Sequence, residues 1–403
     1  MNEVTTIGVL GAGTMGAGIA QVAVEAGLGV LLHDPIAGAT DRARDRIGGF
    51  LARKVEKDQL TEAERAAAAD RLSTVGTLEQ LAAAELVIEA IPEDLALKRD
   101  AFQRLDGAAE PDTILATNTS SLAVAQIASA TAHPERVVGM HFFNPVPLMA
   151  LVEVIPGPMT DRAVVDSVAF LARLLGKTPV VVADTPGFIV NRVQRAYYLE
   201  AYRILDEGLA DAVTIDDTMR EIGFRLGPFE LADAVGTDVN LAAGTAIFEG
   251  FYGDPRYRPS LIQRRVADAG RLGRKTGAGY YDYGADGSRG APWTGLDGRA
   301  ADAPRMTALT AAQIQARILS AIVNEAASAV ADGVASPGAI DTAMRLATNW
   351  PDGPLGWGER IGLGSIVRSL DALHVSVPDG RYRVTPLLRS LADGGGSFFA
   401  SRT

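Results

Sequence analysis

A short apolar segment that runs directly into three closely spaced glycines is the feature of this sequence that most constrains its fold. Val4 to Leu10 has the composition of a strand, residues 11–16 read GAGTMG, and Ala17 to Ala26 has helical composition without proline. This is the GxGxxG pattern in the context that gives it meaning, because strand, turn and helix together hold the pyrophosphate of a dinucleotide. The pattern predicts a dinucleotide-binding α/β unit at the start of the chain.

The glycines and the residues between them have separate roles in such a loop. Gly11 allows the tight turn, Gly13 lets a pyrophosphate approach the backbone, and Gly16 lets the helix pack closely on the strand. Thr14 and Met15 stand where the helix begins, and a helix N-terminus attracts phosphate. We therefore predict that all five residues bind the cofactor.

A carboxylate follows the second strand of this unit. Val30 to Leu32 is apolar, and Asp34 comes two residues later, 18 residues after Gly16. A carboxylate at about this distance accepts hydrogen bonds from an adenosine ribose and repels a ribose phosphate. The sequence thus favours NAD over NADP, and a plain turn residue before Pro35 is the simpler alternative for Asp34.

The 403 residues are too many for one hydrophobic core, and the character of the chain changes along its length. Strand-like and helical segments alternate over residues 1–184, which predicts a doubly wound, Rossmann-like α/β domain. Strand signals then become scarce, so residues 185–283 are predicted to form an all-α domain. Residues 284–305 are rich in Gly, Ala, Pro and Asp and are predicted to be a linker. A second all-α domain is predicted over residues 306–403.

The second half of the chain repeats itself at a spacing of about 125 residues. Among the matches, Arg256-Tyr257 corresponds to Arg381-Tyr382. A repeat of this size predicts two copies of one helical domain. Asn191 corresponds to Ala316, so only the first copy carries that polar side chain, and the second copy is expected to serve packing.

Three polar residues stand beside apolar runs in the stretch from Ala116 to Ile155. We interpret the runs next to Ser120, His141 and Glu153 as buried parallel strands. The carboxyl ends of parallel strands share one edge of a sheet, so the three side chains are expected to gather in one crevice. Together they form a candidate catalytic set, although each one alone is as readily explained as the polar end of a core strand.

Of the four histidines, His141 is the one that the pattern places at a crevice-facing strand end with a carboxylate close by, so it is the candidate for a catalytic acid or base. Glu153 can accept a hydrogen bond from one ring nitrogen and leave the other to take the substrate proton. A serine hydrolase would use the same residue types, but TNTSSL is not the GxSxG elbow and the dinucleotide loop would be idle. No histidine pair has the spacing of metal ligands, so no metal is predicted.

Composition argues against several kinds of partner. The 38 basic and 49 acidic residues give a formal charge of -11, which disfavours nucleic acid and anionic membranes. The absence of cysteine excludes disulfides and thiolate chemistry and is compatible with a reducing compartment. Without a leader-like segment or an apolar run of about 18 residues, we expect no membrane association and a cytoplasmic location.

The motifs resemble those of the L-3-hydroxyacyl-CoA dehydrogenase family, and of bacterial 3-hydroxybutyryl-CoA dehydrogenases in particular. The similarity covers about the first 283 residues through GAGTMGAGIA, TNTSSL, HFFNPVP, LVEVI, DTPGFIVNR and GRKTGAGYYDY, in the family's order. The repeat from about Ala308 is similar to a second C-terminal domain that some members carry. The resemblance implies NAD-dependent oxidation of a 3-hydroxyacyl-CoA to the 3-oxoacyl-CoA, or the reverse reduction.

The resemblance also implies roles for individual residues. The catalytic positions it implies are Ser120, His141, Glu153 and Asn191. The further NAD contacts it implies are Asp34, Glu93, Lys98, Asn118 and Lys275. The substrate contacts it implies are Lys57, Ser120 and Asn144.

Several alternatives stay open at this point. The same chemistry could act on an acyl-carrier-protein thioester, on a dicarboxylic substrate such as 3-hydroxyadipyl-CoA, or on a free sugar acid. An intact basic patch around Lys54 and Lys57 would favour CoA, but a merely solvated helix face explains these residues at least as well. A non-enzymatic dinucleotide-binding protein similar to lens crystallins would not need four catalytic residue types. Because the family usually dimerises through its helical domain, a homodimer and a pseudo-dimer of the two helical copies within one chain are both compatible with the sequence.

Overall fold

The structure, a computed structural model, describes residues 4–296 and 307–400. The chain divides into two compact units, Met1–Phe188 and Ile189–Thr403. Residues 297–306, which include part of the predicted linker, lie outside the described residues.

The described residues of the first unit form one eight-stranded sheet with six α-helices. Its strands are β1 (Thr6–Leu10), β2 (Gly29–His33), β3 (Leu72–Thr74), β4 (Leu86–Glu89), β5 (Ile114–Thr117), β6 (Val137–Phe142), β7 (Leu151–Pro156) and β8 (Thr178–Val181). Its helices are α1 (Thr14–Glu25), α2 (Ala39–Glu56), α3 (Glu62–Asp70), α4 (Leu95–Ala108), α5 (Val124–Ala128) and α6 (Arg162–Leu174).

The order of the strands confirms the predicted doubly wound α/β domain. The sheet runs β3-β2-β1-β4-β5-β6-β7-β8, so the chain moves outward from β1 to β3, returns to β4 and continues outward to β8. Its direction of growth reverses between β1 and β4. In open sheets of this kind, ligands bind beyond the carboxyl ends of the strands at that point of reversal.

The direction of β7 is a correction to the prediction of parallel strands. The pairs that join β1 through β6 are parallel, but β7 runs antiparallel to β6, and β8 is parallel to β7. Only the eight residues 143–150 separate β6 from β7. A parallel return needs a crossover of about a dozen residues or more, so this short connection can only reverse the chain.

The sheet is held by apolar side chains on its central strands and first helix. Ile7, Val9, Ile88 and Ile19 are each fully buried in one hydrophobic cluster. Strands covered on both faces carry near-continuous apolar sequence, which is why these segments could be recognised without alternation. The buried core fixes the carboxyl edge of the sheet, where the candidate site lies.

The second unit is helical, with one small β-hairpin among its described residues. β9 (Tyr281–Tyr283) pairs antiparallel with β10 (Arg289–Pro292), which falls within the predicted linker. The helices of the first copy are α7 (Val190–Asp206), α8 (Ala212–Glu221), α9 (Pro228–Val235), α10 (Thr237–Gly250) and α11 (Leu261–Asp268). Those of the second copy are α12 (Ala311–Ala331), α13 (Pro337–Thr348), α14 (Pro354–Ile361), α15 (Leu363–Ser376) and α16 (Pro386–Gly394).

The two copies share the same local device for starting a helix. The Asp216 carboxylate accepts the first free N–H groups of α9, from Phe229 and Glu230. Asp341 occupies the corresponding place and accepts the first free N–H groups of α14. A carboxylate at a helix N-terminus satisfies donors that have no partner inside the helix. The shared device supports the predicted duplication.

α7 and α12 exchange equivalent ion pairs. Arg192 Nε donates to Glu325 at 2.7 Å, and Arg317, which corresponds to Arg192, donates to Glu200, which corresponds to Glu325. All four side chains are at most 8% exposed. A reciprocal exchange of this kind is what an isologous interface between two copies produces.

Tyrosine hydroxyls complete both ion pairs. Tyr257 donates to Glu325, and the corresponding Tyr382 donates to Glu200. Burial alone would raise the pKa of Glu200, but the Arg317 charge and these hydrogen bonds outweigh burial and hold that pKa below its usual value. Buried carboxylates are tolerated when their oxygens are satisfied in this way.

None of the helices in residues 4–296 and 307–400 combines the length and the hydropathy of a membrane-spanning segment.

Candidate active site

The glycine loop has the geometry that close approach of a phosphate requires. Gly11 has φ +102°, and a Cβ there would lie 2.6 Å from the Ala90 carbonyl oxygen. A Cβ on Gly16 would lie 1.8 Å from the Gly11 oxygen, whereas one on the exposed Gly13 would meet no described atom within 4 Å. The loop thus has no room for a side chain at Gly11 or Gly16, whereas the space beside Gly13 is open, and a pyrophosphate would lie there.

The N-terminus of α1 is free to bind an anion. Gly13 is its N-cap, and no described side chain caps it; Thr14, exposed, and Met15, half-buried, follow. The first N–H groups of a helix without a cap attract phosphate. Loop and helix together therefore fit the diphosphate of a dinucleotide.

Asp34 is tied to the same loop. Its Oδ2 accepts the Ala12 N–H at 2.8 Å, and its Oδ1 accepts the Ile36 N–H at 2.8 Å. The carboxylate follows β2 and is only half-buried, so its remaining lone pairs can still accept hydrogen bonds. These bonds are those of the turn interpretation, and the contact of Asp34 with a ribose stays a prediction.

Lys98 lies inside a buried cluster of charges between β4 and α4. Its Nζ donates to Glu89 at 2.6 Å and lies 3.3 Å from Glu93 Oε2, while Lys98 and Glu89 are 1% and 0% exposed. The Thr117 hydroxyl donates to the other oxygen of Glu89 at 2.7 Å. Glu89 was not among the predicted site residues, although its signal, an ionisable residue at the end of the apolar run LVIE, was present in the sequence.

Glu93 holds the loop that carries Ser120. Its Oε1 accepts the N–H groups of Ser120 and Ser121 at 2.9 and 3.0 Å and the Thr119 hydroxyl at 2.6 Å. Burial would raise the pKa of Glu93, but the Lys98 charge and these hydrogen bonds outweigh it and lower that pKa. An ionised Glu93 therefore fixes the backbone of Ser120 at the carboxyl end of β5.

His141 and Glu153 face each other across the β6–β7 pair. They are register partners on the antiparallel strands, and His141 Nδ1 lies 2.7 Å from Glu153 Oε2. The pairing of side chains is as predicted, but Glu153 stands in the middle of its strand and not at its end. Directly opposed residues on antiparallel strands are close enough for this contact.

The surroundings of His141 restrict its ring. The side chains of His141 and Glu153 are 7% and 0% exposed, and Phe143 and Phe188 lie 4.4 and 5.9 Å from the imidazole centroid. The Asn118 amide oxygen accepts the N–H of Phe142, the residue after His141, at 2.8 Å. Because Nδ1 faces Glu153, Nε2 is the nitrogen left for other chemistry.

The remaining predicted residues have the following positions. Lys57 is exposed at the C-cap of α2, and its neighbour Lys54 is engaged with Glu25 at 2.7 Å. Asn144 is exposed in the turn after β6. In the second unit, Asn191 lies in the first turn of α7 and Lys275 donates to both oxygens of Asp238. The described residues contain no group of three or more histidines and carboxylates that could hold a metal.

Comparisons with known proteins identify both halves of the chain. A family model described as 3-hydroxyacyl-CoA dehydrogenase, NAD binding domain, matches residues 6–185. A second, described as 3-hydroxyacyl-CoA dehydrogenase, C-terminal domain, matches residues 187–283 and again residues 314–397. The two matches of the second model agree with the repeat.

Individual relatives point to the same family. A 3-hydroxyadipyl-CoA dehydrogenase of Escherichia coli is 38% identical, over 97% of this chain and 98% of its own length. A probable 3-hydroxybutyryl-CoA dehydrogenase of Bacillus subtilis is 44% identical over 70% of this chain and 98% of its own. The crystal structure of a 3-hydroxybutyryl-CoA dehydrogenase from Escherichia coli has a TM-score of 0.88 at 37% identity and covers 98% of this chain and 100% of its own.

The predictions of enzyme class and cofactor are confirmed by these matches. The protein is an NAD-dependent oxidoreductase that oxidises 3-hydroxyacyl-CoA, and the fit of the glycine loop to a diphosphate agrees with that cofactor. This chain belongs to the 3-hydroxyacyl-CoA dehydrogenase family.

Proposed function

We propose that His141 is the general base that removes the proton of the substrate hydroxyl, and the general acid in the reverse reduction. The observation that carries this proposal is the 2.7 Å contact between His141 Nδ1 and Glu153, with both side chains buried. Glu153 holds Nδ1 as the protonated nitrogen of the neutral ring, so Nε2 has the free lone pair. When Nε2 takes a proton, the carboxylate stabilises the imidazolium that forms.

The other predicted residues position the substrate in this proposal. Bound NAD supplies the acceptor for the hydride that leaves C3. Ser120 and Asn191 donate hydrogen bonds to the reacting oxygen or the thioester carbonyl and fix C3 in place. The contacts between Glu93 and the backbone of Ser120 support this role, because they hold the loop rigid.

The substrate that we propose is a short-chain L-3-hydroxyacyl-CoA, held near the exposed Lys57 and Asn144. The names of the relatives include both 3-hydroxybutyryl-CoA and 3-hydroxyadipyl-CoA. The two acyl groups differ in length and in the charge at the far end. Contacts between the protein and the far end of the acyl group must therefore determine the acyl specificity.

The direct test is the loss of NADH absorbance when the purified protein meets acetoacetyl-CoA. We expect turnover by the wild type, and a rate lower by about 10² to 10⁴ for His141→Ala with NADH binding retained, as removal of a general base predicts. Absence of turnover with every 3-oxoacyl-CoA would refute the proposal. Loss of NADH binding in His141→Ala would show that the residue is structural.

We also propose that the second helical copy occupies the place of a partner subunit, so that the chain is a pseudo-dimer. The reciprocal contacts of Arg192 with Glu325 and of Arg317 with Glu200 support this, because a two-fold dimer would make the same exchange. We expect light scattering to give the mass of one chain, 42.2 kDa. Twice that mass would contradict the proposal. The cytoplasmic location stays a prediction.

A further inference from the structure

Arg195 is a buried cation without a counter-ion. Its side chain lies on α7 and is 3% exposed, and in the described part of the chain no carboxylate pairs with it. Its Nη1 donates to the backbone oxygen and the side-chain oxygen of Asn240, and its guanidinium lies over the Tyr198 ring. Its Nε meets no acceptor among the described residues. The comparably buried arginines that do pair with a carboxylate are Arg136, Arg192 and Arg317.

Further buried polar groups lie next to Asn240, the hydrogen-bond partner of Arg195. Gln263 donates to the Asn240 side-chain oxygen at 2.7 Å. Thr237 precedes Asn240 by three residues on α10, so the two share one face of that helix. The Thr237 hydroxyl is fully buried and has no partner among the described residues. Buried polar groups that lack partners are costly, which indicates that another group completes this cluster.

The second helical copy shows that the fold does not need these polar groups. The copies align through Arg192 and Arg317 on α7 and α12, and through the glycines of positive φ that precede α10 and α15, Gly236 and Gly362. The counterparts of Arg195, Thr237, Asn240 and Gln263 are Ser320, Leu363, Ile366 and Leu388. These four counterparts are all buried.

The pattern of change separates two kinds of residue. Three residues that join the copies or start a helix, Arg192, Glu200 and Asp216, have counterparts of the same type, Arg317, Glu325 and Asp341. Arg195 is instead lost together with Asn191, whose counterpart is Ala316. The loss of Arg195 in the second copy therefore parallels the loss of Asn191, which is assigned to the substrate, and differs from the retention of Arg192, Glu200 and Asp216.

We propose that Arg195, with Thr237, binds the distal carboxylate of a dicarboxylic 3-hydroxyacyl thioester. The inference rests on the proposed function, since it takes Asn191 as a substrate contact. Asn191 and Arg195 are four residues apart on one helix, a rise of about 6 Å. Five carbon-carbon bonds of about 1.5 Å each span roughly the same distance in a zigzag, which is the length from the thioester carbon to the far carboxyl carbon of a six-carbon diacid.

The chemistry of the cluster suits a carboxylate. A guanidinium presents planar donors that match the two oxygens of a carboxylate, and the Thr237 hydroxyl adds another donor. Asn240 and Gln263 hold the guanidinium from its other side. An uncharged acyl chain would leave Arg195 buried and unpaired, so the site discriminates against that chain as well as in favour of the diacid.

The test compares two six-carbon substrates that differ only at the far end, 3-hydroxyadipyl-CoA and 3-hydroxyhexanoyl-CoA, with NAD and the full chain. We expect wild-type kcat/KM to favour the diacid by about 100-fold, within the range for a buried charge pair that loses one partner. In Arg195→Met we expect this ratio to fall to about 1, and in Arg195→Lys to be partly retained. Ser320→Ala, at the equivalent site of the second copy, is the matched control and should keep the wild-type ratio.

A second variant guards against misfolding. It carries R195S, T237L, N240I and Q263L, so that each position has the residue that is buried at the equivalent position of the second copy. This variant should also lose the preference for the diacid. The inference would be overturned if the wild type did not prefer the diacid, or if the ratio of kcat/KM for the two substrates were unchanged in Arg195→Met and in the fourfold variant. In either case, turnover of 3-hydroxyhexanoyl-CoA would leave the proposed function intact. Absence of turnover with both substrates would overturn the two together.

Discussion

Glu153→Gln removes one charge at the centre of the site and changes its shape very little. The wild-type carboxylate lies 2.7 Å from His141 Nδ1, so the centres of charge in the ion pair are about 4 Å apart. At that separation, with an effective dielectric constant of about 20, the attraction is about 4 kcal/mol. The imidazolium that forms during the reaction loses this stabilisation in the variant.

The expected consequence is a rate lower by about 10³, because each 1.36 kcal/mol changes a rate about tenfold. The measurement is kcat for oxidation of a 3-hydroxyacyl-CoA with NAD, and a deuterium at C3 tests whether chemistry limits it. NADH binding should be unchanged, since the glycine loop and Asp34 are not touched. A loss of less than tenfold in a folded variant would refute the role given to Glu153.

Glu85→Gln is the matched control for this experiment. Glu85 also accepts hydrogen bonds in the first unit, from Thr5 and Thr6, but it precedes β4 and so lies at the amino end of that strand. The same change of charge there should leave kcat within about twofold, because charges separated by more than about 10 Å through solvent are largely screened. A comparable loss in both variants would point to a general electrostatic effect.

Three further changes test other parts of the molecule. Asp34→Ala should lower the ratio of kcat/KM for NAD over NADP about tenfold or more, and an unchanged ratio would remove Asp34 from cofactor selection. Gly16→Ala places a Cβ within 1.8 Å of a carbonyl oxygen, so we expect weaker NADH binding by fluorescence titration and a loss of about 1–3 kcal/mol in urea unfolding; wild-type values would contradict the close packing. Glu325→Gln removes one of the two carboxylates that pair with Arg192 and leaves Asp332 in place, so it should cost about 1.5–3 kcal/mol in unfolding free energy, whereas a change below about 0.5 kcal/mol would show that the Glu325 pair contributes little.

The fold of the first unit could be predicted wherever its signals are local. The strand, turn and helix around Gly11 to Gly16 lie within a short stretch, and the structure has all three. The direction of β7 was predicted wrongly because an apolar strand has the same composition in either direction. The number of residues between β6 and β7 carried the missing information, since eight residues are too few for a crossover.

The contact between His141 and Glu153 was expected for a different reason from the one the structure shows. The sequence argument placed both residues at strand ends, whereas they are opposed in register on antiparallel strands. Pattern alone cannot give register, because that depends on how the turn at residues 143–150 is built. Two polar residues in two apolar runs were enough to indicate the pair, but not its geometry.

Arg195 could not be recognised from its own helix. In the segment VNRVQRAYYLEAYR several charged residues alternate with apolar ones, and such residues usually face solvent. Packing decides that Arg195 is buried and Arg203 only half-buried. The repeat held a usable signal, because a residue-by-residue comparison shows Arg195 replaced by Ser320 while Arg192 is kept as Arg317.

The reciprocal arginine and glutamate contacts join parts of one polypeptide, so their association does not depend on how many molecules are in solution. Partners that belong to one polypeptide meet at an effective concentration far above the concentration of most enzymes in an assay or a cell. A two-chain enzyme built on the same contacts would separate on sufficient dilution and lose activity per mole. This chain should keep constant specific activity down to the lowest concentration at which it can be measured.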